Sequence, residues 1–417
     1  MPRIVFDRAN LFDGAGPVQP DMTVVVEGTK ITNVVEGPIA PSKDDRVIEM
    51  SGRTLIPGLI TAHLHPELGF ATDASRAMGI PNRVEWPIGV LFAQAFRTCS
   101  FLLQSGWTGY AGAGCADAID AQLKLAISLG VMDGPRILAS SRNINTTAHD
   151  NDVANWWYEL GNLGGDVFAD GADEMRKAVR TEIKRGAEII KIFPTGGHGV
   201  VNGNTRGFTD DEFAAIIESA HDLGVLVRGH CVDHDHIIRC IEGGIDVIDH
   251  GDEIDEEIID LMVSQGTFWV PSMKFLKVAT SVGLDGNALF AKWDAKKDWD
   301  NVAKMLPIAN EAGVKILPGD DYGSSFFPHS LGVYASELTI YAEEVGIPRR
   351  DVLRWATRNG AELLKMAGVL GTVEPGALAD LVVVNADPTR DIRVLEDPTA
   401  NVAAVMIDGH FAKDLLP

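Results

Sequence analysis

Short runs of β-branched residues set the rhythm of this chain from its start. Up to residue 56, Val, Ile and Thr cluster between turns at Asp13-Gly14, Glu27-Gly28 and Glu36-Gly37, which predicts several short strands. The same texture returns after Gly371, in Leu381-Val382-Val383-Val384 and in the run from Val402 to Gly409. Between these ends, apolar runs alternate with amphipathic stretches of helical period, the pattern of repeated strand–helix units around a parallel sheet. Strands are expected near Leu55 to His65, Gly106 to Gly114, Arg136 to Arg142, Glu188 to Phe193, Val225 to His230, Asp246 to His250, Thr267 to Ser272 and Val314 to Pro318. Helices are expected from Asp210-Asp211-Glu212 through Ala220 and from Asp255-Glu256-Glu257 through Ser264, each opening with acids against the positive end of the helix dipole. No glycine-rich phosphate loop follows a strand, which weakens the case for an open doubly wound sheet. The prediction is an α/β chain: a (β/α)8 TIM barrel over residues 57–370, with a small β-sandwich domain formed by residues 1–56 and 371–417.

Composition narrows the partners. A formal charge of −23 over 417 residues repels nucleic acid and anionic membrane surfaces, so neither is expected to bind. No stretch is long and apolar enough to span a bilayer, and Arg3, Asp7 and Arg8 interrupt the first residues where a signal peptide needs an unbroken apolar core. Cys99, Cys115, Cys231 and Cys240 show no C-x-x-C spacing, which fits a reducing compartment; a cytoplasmic location is expected.

The chemistry lies where apolar runs end. In Pro57-Gly58-Leu59-Ile60-Thr61-Ala62-His63-Leu64-His65, two imidazoles fall at i and i+2, on one face of a strand, so both can reach one ion. In a barrel, catalytic groups sit at the C-terminal ends of strands, and the polar residues closing the other runs are Lys191, His230, His250 and the Asp320-Asp321 pair. Lys191 interrupts Glu188-Ile189-Ile190-Lys191-Ile192-Phe193, a run suited to burial; such a lysine pairs with a carboxylate, loses its proton or is modified, and a neutral lysine can add carbon dioxide to become a carbamate. Cys231 is expected to point away from His230, and His221, His234 and His236 are read as solvent-facing. Asp320 and Asp321 are adjacent, so one binds metal and shuttles a proton while the other caps or orients a loop; the residues alone leave the choice open.

These motifs, in this order, resemble the amidohydrolase superfamily over nearly the whole chain. Gly229-His230, Asp249-His250-Gly251, Gly319-Asp320-Asp321 and the tail from Gly371 to Val383 take part in the resemblance, which is nearest to the imidazolonepropionase-like subgroup that includes prolidases and ochratoxinase. It implies a binuclear metal site, with His63 and His65 holding one ion, His230 and His250 the other, and carboxylated Lys191 bridging them. The last-strand acid of the family maps onto Asp321, although Asp320 stands where Thr or Ser is usual. Thr147-Ala148-His149 occupies the place of a Gly-Gly-His that follows the third strand in this subgroup, making His149 the candidate for holding the substrate's carbonyl or carboxylate.

On this resemblance the expected cofactors are two divalent ions, zinc first among them, sharing a hydroxide that attacks the substrate; Asp321 is its catalytic acid–base. The expected reaction is hydrolysis of an amide-type C–N bond in a small molecule, an N-acyl amino acid or aryl amide, by a homo-oligomer. The loop from Asn143 to Asp170, with Trp156, Trp157 and Tyr158, offers an apolar pocket, and Lys274 or Arg206 a carboxylate contact. Alternatives are an Xaa-Pro dipeptidase, a carbamate or phenylurea hydrolase, a mononuclear deaminase and a non-catalytic scaffold.

Overall fold

The computed structural model describes residues 3–68, 86–149, 152, 164–198, 205–281, 293–321 and 329–417. Trp156, Trp157 and Tyr158 lie outside the described residues, as do parts of the loops after the first, third and fourth barrel strands.

The two chain ends share one sheet. Strands β1 (Ile4–Leu11), β2 (Gln19–Glu27), β3 (Lys30–Glu36), β4 (Arg46–Glu49) and β5 (Thr54–Pro57) come from the beginning of the chain. The chain then passes into the barrel strands β6 (Leu59–Leu64), β7 (Trp107–Gly112), β8 (Arg136–Leu138), β9 (Ser140–Asn145), β10 (Asp166–Phe168), β11 (Ile189–Ile192), β12 (Leu226–Cys231), β13 (Val247–His250), β14 (Phe268–Val270) and β15 (Lys315–Ile316). It returns to the end sheet through β16 (Leu381–Val384), β17 (Val402–Ile407) and β18 (His410–Asp414).

The end sheet runs in the order β18-β17-β16-β5-β1-β2-β3, with β4 paired to the first half of β1 along the edge that β5 takes further on. It is one continuous sheet that doubles back: β1 and β18 are separated by three strands, yet the rings of Phe6 and Phe411 stand 6.4 Å apart. The resulting sandwich encloses its own core, with Phe6, Val24, Ile31, Leu55, Val383 and Met406 among its buried residues. Burying alternate residues of each strand on the inner face is what the Val- and Ile-rich pattern at both ends requires.

All eight expected barrel strands are present among the described residues, and consecutive strands pair in parallel. The third is interrupted: β8 pairs with β7 and β9 with β11, and the intervening Ala139 accepts the N–H of Glu188 at 2.7 Å. Between last and first strands, Ala62 N–H donates to Pro318 O at 2.7 Å. Burial of β6, β7, β11, β12, β13 and β14 along almost their whole length explains their unbroken apolar runs. The helix Asp210–His221 opens with a capping box in which Thr209 and Glu212 satisfy each other's backbone N–H groups. Asp255 caps the helix Glu256–Gln265 by accepting from the N–H of Ile258. Gly58, between β5 and β6, leaves no room for a side chain, because a Cβ there would lie 1.9 Å from Thr108 Oγ1.

Candidate metal centre

The C-terminal ends of the barrel strands bring most of the predicted site residues together. His63 and His65 leave β6 on the same face, with ring centroids 5.5 Å apart. His65 Nδ1 lies 2.7 Å from Gly114 O, a contact that makes Nδ1 the donor and turns Nε2 toward Asp321 Oδ1 at 3.0 Å. The same Oδ1 is 3.5 Å from His63 Nε2. His63 also faces His250 at 5.3 Å between ring centroids, and His230 lies 4.4 Å from His250. One ligand atom each from His63, His250 and Asp321 falls within 4.8 Å of the others. Gly319 makes this approach possible, since a Cβ there would stand 2.4 Å from the backbone nitrogen of His63.

Adjacent acids at the last strand are sorted by the backbone. Asp321 adopts φ 56, a left-handed conformation that costs a non-glycine residue about 1–2 kcal/mol. Its carboxylate is thereby placed against the histidines, whereas Asp320 is wholly buried and accepts the N–H of Phe275 at 2.9 Å. His250 and Ser272, at the ends of two neighbouring strands, also have positive φ, 70 and 53.

Beneath the histidines lies a buried charge cluster. Lys191 Nζ donates to Asp249 Oδ2 at 2.6 Å, and Arg228 Nε reaches the same oxygen at 3.0 Å while its second arm bonds Asp249 Oδ1. Arg228 also donates to the carbonyls of Ala62 and Gly112 at 2.7 and 2.8 Å, tying three strands together. Asp249 Oδ1 is 3.6 Å from His63 Nδ1. Despite burial, Arg228, Lys191 and His63 hold the Asp249 carboxyl well below the usual range.

The electrostatics suit a cation. Burial pushes His63, His230 and His250 well below the ordinary histidine value, leaving neutral imidazoles with lone pairs to donate. Burial drives Asp321 the other way, but His63, His65 and His250 outweigh it and keep the carboxyl ionised. Burial also lowers the Lys191 ammonium, and Arg228 adds to this, although Asp249 opposes both. His63 Nδ1 and His230 Nε2 are buried without a hydrogen-bond partner. A neutral nitrogen donor set beside one carboxylate, with ring nitrogens unsatisfied, fits a divalent transition metal.

His149 has a different setting. Its Nε2 lies 3.2 Å from Thr205 O, its Nδ1 has no hydrogen-bond partner, and its ring rests against Gly207. Arg206 donates to Phe208 O and pairs with Asp210 at the start of a helix, so its charge is already engaged.

Three residues at this centre escaped the sequence reading. Asp249 and Arg228 form the charge cluster below the rings, and His198 stands beside them with ring centroids 5.0 Å from His230 and 4.7 Å from His250. His198 closes Thr195-Gly196-Gly197-His198 after β11, a Gly-Gly-His one strand later than the place where that pattern was sought. Phe275 and Trp293 pack on His198 at 5.1 and 4.5 Å and stack on each other at 5.3 Å, making an aromatic wall beside the histidines.

Comparison with known proteins agrees with this architecture. Ochratoxinase from Aspergillus niger is 26% identical over an alignment 418 positions long, covering 94% of this chain and 82% of that protein. A solved Xaa-Pro dipeptidase with bound methionine superposes with a TM-score of 0.84 and 30% identity, covering 99% of this chain and 100% of its own. A prolidase complexed with N-methylphosphonate-L-proline gives 0.85 and 27%, with the same coverage. The sequence profile of the amidohydrolase family matches residues 54–412, and with the barrel, the end sheet and the histidine cluster in place, the chain belongs to the amidohydrolase family of hydrolytic enzymes.

Proposed function

We propose that the chain hydrolyses an amide-type C–N bond in a small N-acyl amino acid or aryl amide, using two divalent ions, zinc by preference. His63, His65 and Asp321 would hold the first ion and His230 and His250 the second, with Lys191, carboxylated on Nζ, as a further ligand. The observation that carries this reading is the convergence of neutral, unsatisfied imidazoles on one ionised carboxylate at the C-terminal end of the barrel. The ions supply Lewis acidity, lowering the pKa of water and polarising the scissile carbonyl.

The chain's own groups do the rest. Asp321, ionised beside His63 and His65, takes the proton of the attacking water on its carboxylate and returns it to the leaving nitrogen. Lys191 must surrender its bond to Asp249 to become a carbamate, and Arg228 keeps both Asp249 oxygens satisfied when it does. His149, buried with Nδ1 unpartnered, holds the substrate's carbonyl or carboxylate. Phe275 and Trp293 favour an apolar or aryl group next to the bond that is cut. In this reading residues 57–370 are the hydrolase barrel, and residues 1–56 with 371–417 the domain that supports it.

The similarity to an Xaa-Pro dipeptidase supports a second reading, cleavage of Xaa-Pro dipeptides. It requires a clamp for a free carboxylate, as an N-acyl amino acid also does, and the engagement of Arg206 by Phe208 O and Asp210 favours the aryl-amide form of the first reading. Four unpaired, buried cysteines support a cytoplasmic setting, and no described helix is long and apolar enough to cross a membrane. Assembly as a homo-oligomer is part of the proposal. The test is to strip the protein with a chelator, reload it with zinc, manganese or cobalt, and offer N-acyl amino acids, Xaa-Pro dipeptides and aryl ureas. Hydrolysis lost on chelation and restored by metal, fastest on N-acyl or aryl amides, is expected; ammonia released from an aminated ring by protein holding one ion per chain would overturn the proposal.

A further inference from the structure

His198 lies outside the ligand set proposed above, yet its surroundings are those of a ligand. One ring nitrogen each from His198, His230 and His250 lies within 4.8 Å of the others, and all three residues are buried. His230 Nε2 has no hydrogen-bond partner. Bringing three imidazoles together away from water is costly unless something between them accepts their lone pairs, and a cation does so.

Two further contacts fix the third ring. His198 Nε2 lies 2.6 Å from Asp252 Oδ2, so Nε2 carries the proton and Nδ1 is the nitrogen left to an ion. A carboxylate on the far nitrogen is the usual support of a metal-bound histidine, setting its tautomer and orientation. Asp252 is itself placed by Asn301, whose amide donates to the carbonyls of Asp252 and Ile254 at 2.7 and 2.9 Å. Phe275 and Trp293 pack on the ring and oppose its rotation away from His230 and His250.

We infer that His198, His230 and His250 form a three-histidine site for the second ion, with Asp252 as the positioning residue that orients His198. The inference rests on the metal-dependent reading of the centre and adds a ligand to it. Three imidazole nitrogens bind zinc or cobalt while leaving a position open, so the second ion keeps its place even when Lys191 remains an ammonium paired with Asp249.

Metal titration of the full chain tests this without an activity assay. Wild-type protein should take up about two cobalt ions per chain, and His198→Ala about one, with loss of the ligand-field absorption belonging to the second. Asp252→Asn should keep the second ion but weaken it about 10–100-fold. His198→Cys, which offers a thiolate at the same place, should recover the second ion and add a sulfur-to-cobalt charge-transfer band; this gain of signal does not depend on whether the alanine variant folds. If His198→Ala binds two ions with unchanged affinity and spectrum, the three-histidine site is wrong while the metal-dependent reading stands. If wild-type protein binds no ion, both fall.

Discussion

Two ionic clusters, one partly exposed and one buried, stand at opposite ends of the barrel, and they differ in what they leave undone. At the end facing the terminal sheet, Arg136 donates to both oxygens of Asp380 at 2.7 and 2.8 Å and to Asp408 at 2.7 Å. Asp380 also accepts the N–H of Asp408 at 3.0 Å. This cluster fastens β8 to the strand β16 and the turn after β17, and its charges answer one another. At the other end, the Lys191–Asp249–Arg228 cluster carries above it two unsatisfied ring nitrogens. Complete satisfaction marks a joint, whereas deficits held in place by a satisfied layer beneath them mark a site prepared for something absent from the chain itself.

The largest effect expected from this contrast is at Asp321. Asp321→Asn should lower kcat by about 10²–10⁴-fold, because the amide cannot carry the proton. Asp320→Asn should lower it by less than about tenfold, since an amide oxygen can still accept the N–H of Phe275. Steady-state kinetics with matched metal loading decide the matter, and a loss confined to Asp320→Asn would reverse the assignment. Next in size is Asp249→Ala, which leaves two buried cations facing each other. A loss of about 3–5 kcal/mol in denaturant unfolding is expected, or failure to accumulate folded protein. A near-neutral result would mean that the layer beneath the histidines is not held by charge.

The barrel and the end sheet were legible because both depend on period: apolar runs closed by polar residues gave the eight strands, and alternation gave the sheet at the termini. The ring of histidines was legible for the same reason, since His63, His65, Lys191, His230 and His250 each fall within or at the end of such a run. His198 was missed because it lies in a loop, where no period says which way a side chain turns. Arg228 and Asp249 were missed because a charge inside a strand reads alike whether it meets a partner on the next strand or snorkels to a rim; only the register, which sets Arg228 beside Val247 and His230 beside Asp249, reveals the pairing. The adjacent acids stayed ambiguous because strand alternation alone does not announce a left-handed residue, and the positive φ of Asp321 goes with a carboxylate against the histidines, apart from that of Asp320.

Smaller effects are expected where every partner is present. Arg136→Met should cost about 2 kcal/mol, below the value for a fully buried pair because the Arg136 side chain is 19% exposed, and should leave metal content and kcat unchanged. A change in metal content would show that the two ends are coupled through the barrel, and the contrast drawn between them would fail.

The smallest effect, at Glu337, tests whether a satisfied group close to the site still behaves as structure. Glu337 accepts the N–H of Gly319 at 2.7 Å and the hydroxyl of Tyr341 at 2.5 Å. Burial pushes its carboxyl up to about 7, against the hydrogen bonds from Tyr341 and Gly319 that hold it down. A folded pKa above the unfolded value means that the native state holds the extra proton between the two. The stabilising contribution is therefore complete below about pH 4.5 and is lost as pH rises through about 7. Wild-type Tm should fall between about pH 5 and pH 8 more steeply than that of Glu337→Gln, which has no proton to lose, while the two should bind the same amount of metal. Equal slopes would place the titration elsewhere, and reduced metal binding by Glu337→Gln would show that this acid belongs to the deficit above it rather than to the satisfied layer that supports Gly319.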